Sequence, residues 1–199
     1  LFEGLPMAEN VVFVKHNNSD IPERDSQGKI IPQGAGPSRK IANGNCYWTA
    51  IALLVYGTAR AWMRVKAEHL ARLELVLDNP QHPDYQKYHF LNSIEIATMD
   101  KDQPVDLNMW EGLQWPSAWV NDEICHITAD VYGVYVWLYK YNGGHKEWRN
   151  RVYDIKTYGV FNTRHIVLSY DDENHFRPMI PNDFLWSEFQ MPRLTRAKT

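Results

Sequence analysis

Residues 43–57 read NGNCYWTAIALLVYG and join a tight polar turn to a long apolar run. The run keeps a helical apolar face, and Gly57 is suited to the C′ position, so the pattern predicts a helix over residues 46–56. Further apolar residues fill the flanks of that face, which predicts a helix that is buried nearly all round. Cys46 is therefore expected at the first turn of a buried helix.

The composition of the whole chain is that of a globular protein and narrows the possible functions. The 199 residues are 44% hydrophobic and 23% charged, which is enough apolar material for one domain with a core. A formal net charge of −3 gives no basic surface for nucleic acid. No apolar run reaches the length of about 18 residues that spans a bilayer, so no membrane partner is expected.

The two cysteines are too few for a disulfide framework, which favours a reducing compartment. The first residues, LFEGLPMAENVVFV, lack the basic and apolar regions of a signal peptide. The expected location is the cytoplasm, or the host cytosol if the chain comes from a pathogen.

The chain divides into an arm, a main domain and a tail. Residues 1–40 are rich in Pro, Gly, Asp and Ser and predict a loop-rich arm, with one short strand at VVFVKH. Residues 41–190 form the expected domain, and residues 191–199 form a polar tail. Helical patterns come first and strand patterns second, which predicts an α+β (mixed α/β) fold.

Hydrophobic spacing predicts three further helices and three strands in the domain. The helices are expected at residues 61–77, 84–99 and 122–132, and the strands at residues 134–141, 158–162 and 165–171. Residues 101–119, KDQPVDLNMWEGLQWPSAW, are interpreted as an aromatic-rich connection.

The position of Cys46 favours a reactive thiol. A helix N-terminus stabilises the thiolate, which is the nucleophilic form. The preceding turn, Asn43-Gly44-Asn45, offers backbone N–H groups that could bind an oxyanion together with the N–H of Cys46. The alternative is a structural cysteine that acts as a small buried hydrophobe.

His175 supplies a candidate general base. It follows the strand HIVLSY and a short acidic loop, 129 positions after Cys46. A Cys/His pair that is distant in sequence and joined by the fold is a common arrangement in thiol enzymes. A single histidine can equally be a surface residue or a satisfied core residue.

Four segments, taken together, resemble the ovarian tumour (OTU) family of cysteine proteases. NGNCYWTAIALLVYG resembles its cysteine box, and HFRPMI at residues 175–180 resembles its histidine box. MRVKAEHLARLEL at 63–75 resembles the Arg-bearing helix, and WVNDEICHITADVYGVYVWLY at 119–139 resembles the segment with Trp and Glu and the strand after it. The residues that match the cysteine box are Gly44, Asn45, Cys46, Tyr47, Trp48 and Ala50.

The resemblance implies a fold, an activity and a site. The fold would be papain-like, with a small central β-sheet packed between helices and the nucleophile at a helix N-terminus. The activity would be cleavage after the C-terminal Gly-Gly of ubiquitin or a ubiquitin-like modifier, with polyubiquitin chains among the partners. It implies Cys46 as nucleophile, His175 as general base, and Trp119 and Phe176 as walls of a channel for the Gly-Gly tail, with no cofactor or metal.

Two positions depart from the family pattern. Asn43 stands where the family has Asp, and Arg177 stands where many members carry the Asn or Asp that orients the imidazole. A guanidinium has no acceptor and cannot orient a protonated imidazole. The candidates for a third catalytic residue are therefore Asn43 and an acidic residue of the arm, Asp20 or Asp25, with Asp172 and Asn174 set lower because they adjoin the histidine.

These departures keep a second function open, a catalytically impaired OTU-like module that binds ubiquitin. A papain-type protease fits less well because the aromatic residue after the cysteine is displaced by one position. The eight histidines form no close-spaced pair of zinc ligands, which disfavours a zinc enzyme. A Trp-rich interaction module is the remaining alternative.

Overall fold

The chain was analysed in a computed structural model, which describes residues 2–3, 13–15, 44–100, 103–141, 153–171 and 175–181. These residues form five α-helices and nine β-strands. The helices are α1 (Cys46–Tyr56), α2 (Trp62–Leu77), α3 (Tyr85–Ser93), α4 (Met109–Leu113) and α5 (Ile124–Tyr132). The strands are β1 (Phe2–Glu3), β2 (Phe13–Lys15), β3 (Glu95–Asp100), β4 (Gln103–Asn108), β5 (Ala118–Trp119), β6 (Tyr135–Tyr141), β7 (Tyr153–Tyr158), β8 (Arg164–Asp171) and β9 (His175–Pro181).

Helix α1 has the bounds that its sequence predicts, and nine of its eleven residues are buried. It ends at Gly57, which adopts a left-handed conformation (φ 72°) and donates its N–H to the carbonyl of Leu53 at 3.1 Å. Glycine adopts this conformation without steric cost, which explains why the helix stops there. The prediction of a buried helix beginning at Cys46 is confirmed.

Two of the other predicted helices are confirmed with small shifts at their N-terminal ends. A short 3₁₀ turn at Ala59–Ala61 precedes α2, and α5 begins at Ile124 rather than at residue 122. The helix expected over residues 84–99 is correct only as far as Ser93. Ile94 turns extended, and Ile96 and Thr98 alternate with more exposed neighbours, as is typical of a half-buried strand.

The segment at residues 101–119 was wrongly interpreted as a connection. Its described residues contain β4, α4 and β5. Strand β3 pairs with β4 on one side and with β5 on the other, and this gives a three-stranded antiparallel sheet. The pairing joins segments up to 22 positions apart (Ala97 with Trp119), so the hydrophobic spacing within a short stretch of sequence does not predict this sheet.

The larger sheet has the order β2-β9-β8-β6-β7, and β1 also pairs with β8. Strands β6 and β8 are parallel, and the other pairs are antiparallel. Strands β6 and β8 match the predicted ones. No strand was predicted at β9, and the strand expected at residues 158–162 is wrong beyond Tyr158, because β7 ends there and Gly159 turns the chain at φ 92°.

The core lies between the helices and the larger sheet. Helix α1 packs against β9, and the buried side chains of β6 and β8, such as Leu138 and Leu168, join the same core. The fold is therefore α+β, as predicted. None of the described helices combines the length and the apolar character that a membrane span requires.

Two short strands fall within the part of the chain that was expected to be an arm. Strand β1 pairs with the start of β8, and β2 pairs with the end of β9 through Val14 and Ile180. The rest of the arm and the tail at residues 191–199 lie outside the described residues, as do Asp20 and Asp25. The boundary at residues 40–41 stays a prediction.

Candidate active site

Cys46 is the first residue of α1 and is half-buried. The carbonyl of Asn45 accepts hydrogen bonds from the backbone N–H of Thr49 at 3.0 Å and from its hydroxyl at 2.9 Å, which closes the first turn. The first turn contains no acidic residue. The partial positive charge of the helix N-terminus therefore acts on the thiol, and this charge favours the thiolate.

The turn before Cys46 lies against the segment that leads into β5. Gly44 has a φ of +90°, and a Cβ added there would lie 3.0 Å from the backbone of Ala118. Asn45 is fully buried, and its side-chain N–H donates to the carbonyl of Pro116 at 3.3 Å. Asn45 occupies the N-cap position without making a side-chain capping bond, so it fixes the turn to the segment before β5 and does not cap the helix.

Lys66 of α2 supports the same segment, and sequence analysis did not single it out. Its ammonium donates a hydrogen bond to the carbonyl of Trp115, next to Pro116. Burial lowers the pKa of Lys66 to about 8. The lysine therefore links α2 to the segment on which the cysteine turn rests, and only the tertiary fold reveals this link.

His175 is the first residue of β9 and is half-buried. The next residue, Phe176, contacts Tyr47, which follows Cys46, with ring centroids 4.8 Å apart at an interplanar angle of 79°. The immediate neighbours of the two predicted catalytic residues thus touch in the core. This contact joins the start of α1 to the start of β9, which is the juxtaposition that a Cys/His pair needs.

The register of β8 and β9 adds an acidic residue to this region. Asp171 at the end of β8 pairs with His175, and Ser169 pairs with Arg177. Sequence analysis did not name Asp171 among the candidates for a third catalytic residue, because the pairing of β8 with β9 is not evident from spacing. Asn43 lies outside the described residues, as do Asp172 and Asn174.

Trp119 and Phe176 occupy different environments. Trp119 belongs to β5 and is half-buried, beside the Ala118 backbone on which Gly44 packs. Phe176 is only 1% exposed, and its ring stacks on Tyr170 at a centroid distance of 4.2 Å. The predicted part of both rings in the walls of a substrate channel stays a prediction.

The second thiol, Cys125 of α5, has a contrasting environment. It is fully buried, and burial raises its pKa to about 12. The hydroxyl of Tyr47 lies 3.7 Å from its sulfur. The raised pKa disfavours thiolate chemistry at Cys125 at neutral pH.

Metal chemistry finds no support among the residues that the structure describes. No group of three or more His, Cys, Asp or Glu side chains in those residues could hold a metal ion. The arrangement of a half-buried thiol at a helix N-terminus, a half-buried imidazole and a tight backbone turn is suited to covalent catalysis.

No protein-family model matches the sequence, and no curated protein matches it. Several solved structures are similar in fold. The OTU domain protease from Qalyub virus is 17% identical with a TM-score of 0.48, and the similarity covers 86% of this chain and 99% of that one. The Hazara virus OTU bound to ubiquitin is 16% identical with a TM-score of 0.43, and 91% and 94% of the chains are covered. The ubiquitin-bound OTU deubiquitinase from Wolbachia pipientis is 11% identical with a TM-score of 0.45, and 72% and 94% are covered.

Proposed function

We propose that the chain is a cysteine-dependent deubiquitinase, which cleaves isopeptide or peptide bonds after the C-terminal Gly-Gly of ubiquitin or a ubiquitin-like modifier. The observation that carries the proposal is the contact between Tyr47 and Phe176, because it brings the start of α1 to the start of β9. Ubiquitin is the first substrate to test because the sequence around Cys46 and His175 resembles the OTU cysteine and histidine boxes.

The proposed reaction begins with His175 taking the thiol proton of Cys46. The thiolate attacks the carbonyl carbon of the terminal glycine, and the negative charge moves to the carbonyl oxygen. Backbone N–H groups of the turn at Gly44 to Cys46 would stabilise this oxyanion. Collapse of the tetrahedral intermediate breaks the C–N bond, and the imidazolium of His175 protonates the leaving amine.

A thioester between Cys46 and the modifier remains after the amine leaves. Water then attacks the thioester carbonyl while His175 accepts its proton, and a second tetrahedral intermediate collapses. The carboxylate of the modifier leaves, and the thiolate of Cys46 recovers its proton. The cycle needs a reduced thiol, which supports a location in a reducing compartment such as the cytoplasm.

The activity can be tested with ubiquitin that carries a fluorogenic amide at its C-terminus. We expect turnover by the parent, none by Cys46→Ala, and a fall in kcat of roughly a hundredfold or more for His175→Gln, since general-base catalysis contributes that much. Cys125→Ala is the matched thiol control and should retain turnover. Equal rates for the parent and Cys46→Ala would contradict the proposal.

The same assay can identify the third catalytic residue. Asp171 pairs with His175 in the strand register, so Asp171→Asn is compared with Asn43→Ala. The variant with the larger fall in kcat, at unchanged stability, marks the residue that orients the imidazole. Equal and small effects would indicate that the enzyme works as a dyad.

The second candidate function is a ubiquitin-binding module with impaired catalysis. It is favoured by Arg177, which lies two positions after His175 on β9, where the OTU pattern often has an acceptor. Its signature would be saturable binding of ubiquitin by the parent with no release of the fluorophore. In that case Arg177→Asn is the first variant to test for restored turnover.

A further inference from the structure

Tyr47 links the two halves of the candidate active site. It follows Cys46 on α1 and is fully buried, and one side of its ring packs against Phe176, the neighbour of His175. Its hydroxyl reaches in another direction, to the hydroxyl of Thr128 on α5 at 2.5 Å. The same side chain is therefore held at its ring by β9 and at its hydroxyl by α5.

Thr128 is also hydrogen-bonded to His69 of α2. The hydroxyl of Thr128 lies 2.7 Å from Nε2 of His69, and Nδ1 of the same ring lies 2.7 Å from the carbonyl of Val65. Both side chains are fully buried. Three helices thus meet through one continuous line of hydrogen bonds.

The chemistry of the last acceptor determines the direction of every bond in the line. A carbonyl can only accept, so Nδ1 of His69 carries a proton. Burial lowers the pKa of His69 to about 4, so the ring is neutral at pH 7 and its Nε2 accepts. Thr128 must then donate to His69.

Tyr47 must in turn donate to Thr128, whose one proton is already used. Two weaker options compete with this arrangement: a 3.3 Å contact from Thr128 to the carbonyl of Ile124, and the 3.7 Å contact from Tyr47 to Cys125. The shorter contacts at 2.5 and 2.7 Å favour a single ordered chain that runs from Tyr47 through Thr128 to His69.

We propose that Tyr47 is a positioning residue that sets Cys46 against His175, and that the hydrogen-bond chain through Thr128 and His69 holds its ring in place. This inference rests on the proposed function and deepens it. A phenylalanine at position 47 would fill nearly the same space, so packing alone does not account for the hydroxyl. The hydroxyl fixes the tilt of the ring, and the ring fixes the distance between the first turn of α1 and the first residues of β9.

Three variants separate positioning from packing. Tyr47→Phe and Thr128→Val remove one hydroxyl each with little change of shape, and Thr128→Ser keeps the hydroxyl and serves as the rescue control. The first readout is the pH dependence of alkylation of Cys46 by iodoacetamide, located by peptide mass. The second is kcat and KM on fluorogenic ubiquitin, with thermal unfolding measured for each protein.

We expect Tyr47→Phe and Thr128→Val to lower kcat by about fivefold at unchanged KM, which is the rate equivalent of one net buried hydrogen bond. The inflection of the alkylation profile should move to higher pH in both, because a misplaced imidazolium stabilises the thiolate less. The double variant should be no worse than either single one, since both break one chain. Thr128→Ser should behave as the parent does.

Unchanged kcat and alkylation profiles in Tyr47→Phe and Thr128→Val, with only a lower unfolding temperature, would overturn the inference. The inference would also be overturned if alkylation of Cys46 in the parent had its inflection at the pH of an ordinary free thiol. The two proposals fail separately. If the parent shows an inflection below the pH of an ordinary thiol that moves to higher pH in Tyr47→Phe and Thr128→Val, yet fails to cleave ubiquitin, that result removes the proposed function and keeps the positioning role. Equal ubiquitin cleavage by the parent and all of the variants keeps the proposed function and removes the positioning role.

Discussion

Gly44 lies against the backbone of Ala118 in the candidate active site. Its φ of +90° lies in the region that favours glycine, and an added Cβ would lie 3.0 Å from backbone atoms of Ala118. Backbone atoms on a strand cannot move aside as the end of a flexible side chain can. Any side chain at this position must therefore shift the turn that precedes Cys46.

We predict that Gly44→Ala lowers kcat about tenfold, because small displacements of the oxyanion-binding N–H groups and the thiol are costly in a preorganised site. The backbone strain should also reduce the free energy of unfolding by about 1–3 kcal/mol. Both quantities can be measured on one preparation, by steady-state kinetics and by urea unfolding.

Gly133→Ala is the matched control for Gly44→Ala. Gly133 also has a positive φ of +59°, but an added Cβ would meet Arg164 at an ordinary 3.8 Å. The control should therefore lose stability without losing kcat. Equal kcat in the two variants would show that the turn at Gly44 does not position the reaction.

Single residues differ in how far the sequence predicts them. Cys46 and His175 were predicted as the reactive groups because their chemistry and flanking patterns are local. The bond from Asn45 to Pro116 and the contact between Tyr47 and Thr128 join positions 71 and 81 apart, and no pattern in the sequence indicates them. The sequence therefore predicts candidate reactive groups, and the fold shows which side chains support the elements that carry them.

At the level of elements, Asp122 connects the start of α5 to the larger sheet. Its carboxylate accepts hydrogen bonds from Lys156 of β7 at 2.9 Å and from Lys140 of β6 at 3.2 Å, and the hydroxyl of Tyr158 lies at 3.3 Å. Burial alone would raise the pKa of Asp122, but the hydrogen bonds and charges of the two lysines lower it below its ordinary value. The ionised form is therefore the stable one at neutral pH.

We predict that Asp122→Asn lowers the free energy of unfolding by about 2 kcal/mol at pH 7, between the values for an exposed and a fully buried ion pair. The difference between parent and variant should shrink in strong acid. A carboxylate with a lowered pKa contributes its stability above the unfolded pKa, and that contribution is lost as the pH falls through the folded pKa. A difference independent of pH would contradict this account of the cluster.

Elements were predictable where their signals were local. Helix α1 has a turn before it, an apolar body and a glycine after it, so its bounds agree with the prediction. Strands β3 and β4 pair with each other, but residues 94–99 continue the apolar spacing of the preceding helix. The sequence therefore predicted helix where β3 lies. Val160 and Phe161 have high strand propensity but are 84% and 57% exposed, because β7 ends at Tyr158 and Gly159 turns the chain.

At the level of the whole molecule, histidines with lowered pKa values make the fold sensitive to acid. Burial lowers the pKa of His69 to about 4, and burial is also the main cause of the lowered pKa values of His126 and His165. The unfolded chain binds protons at these sites at a higher pH than the folded chain does. The contribution of these histidines to the free energy of unfolding is therefore present at pH values above 6.5 and is lost as the pH falls.

We predict that His69 alone accounts for about 3 kcal/mol of lost unfolding free energy between pH 6.5 and pH 4. His69→Gln removes the titration while keeping an acceptor for Thr128, so its stability should fall less steeply over this interval. Urea unfolding at half-unit steps of pH measures both slopes. Parallel slopes for parent and variant would contradict the prediction.

The fold class was predictable because helical patterns precede strand patterns along the chain. The order of the larger sheet was not, because β6 and β8 pair in parallel although β7 lies between them in sequence. Strand β9 also returns to α1, where Phe176, the neighbour of His175, contacts Tyr47. These long-range pairings depend on burial of the whole sheet face against the helices. That return of β9 is what makes a Cys46–His175 pair possible.

Ubiquitin with a thiol-reactive warhead at its C-terminus tests whether Cys46 is the nucleophile that attacks the ubiquitin tail. The adduct is measured by intact mass. We predict one adduct on the parent, one on Cys125→Ala and none on Cys46→Ala, because only Cys46 is a half-buried thiol at a helix N-terminus. An adduct that persists on Cys46→Ala, or the absence of any adduct on the parent with ubiquitin and with ubiquitin-like modifiers, would contradict it.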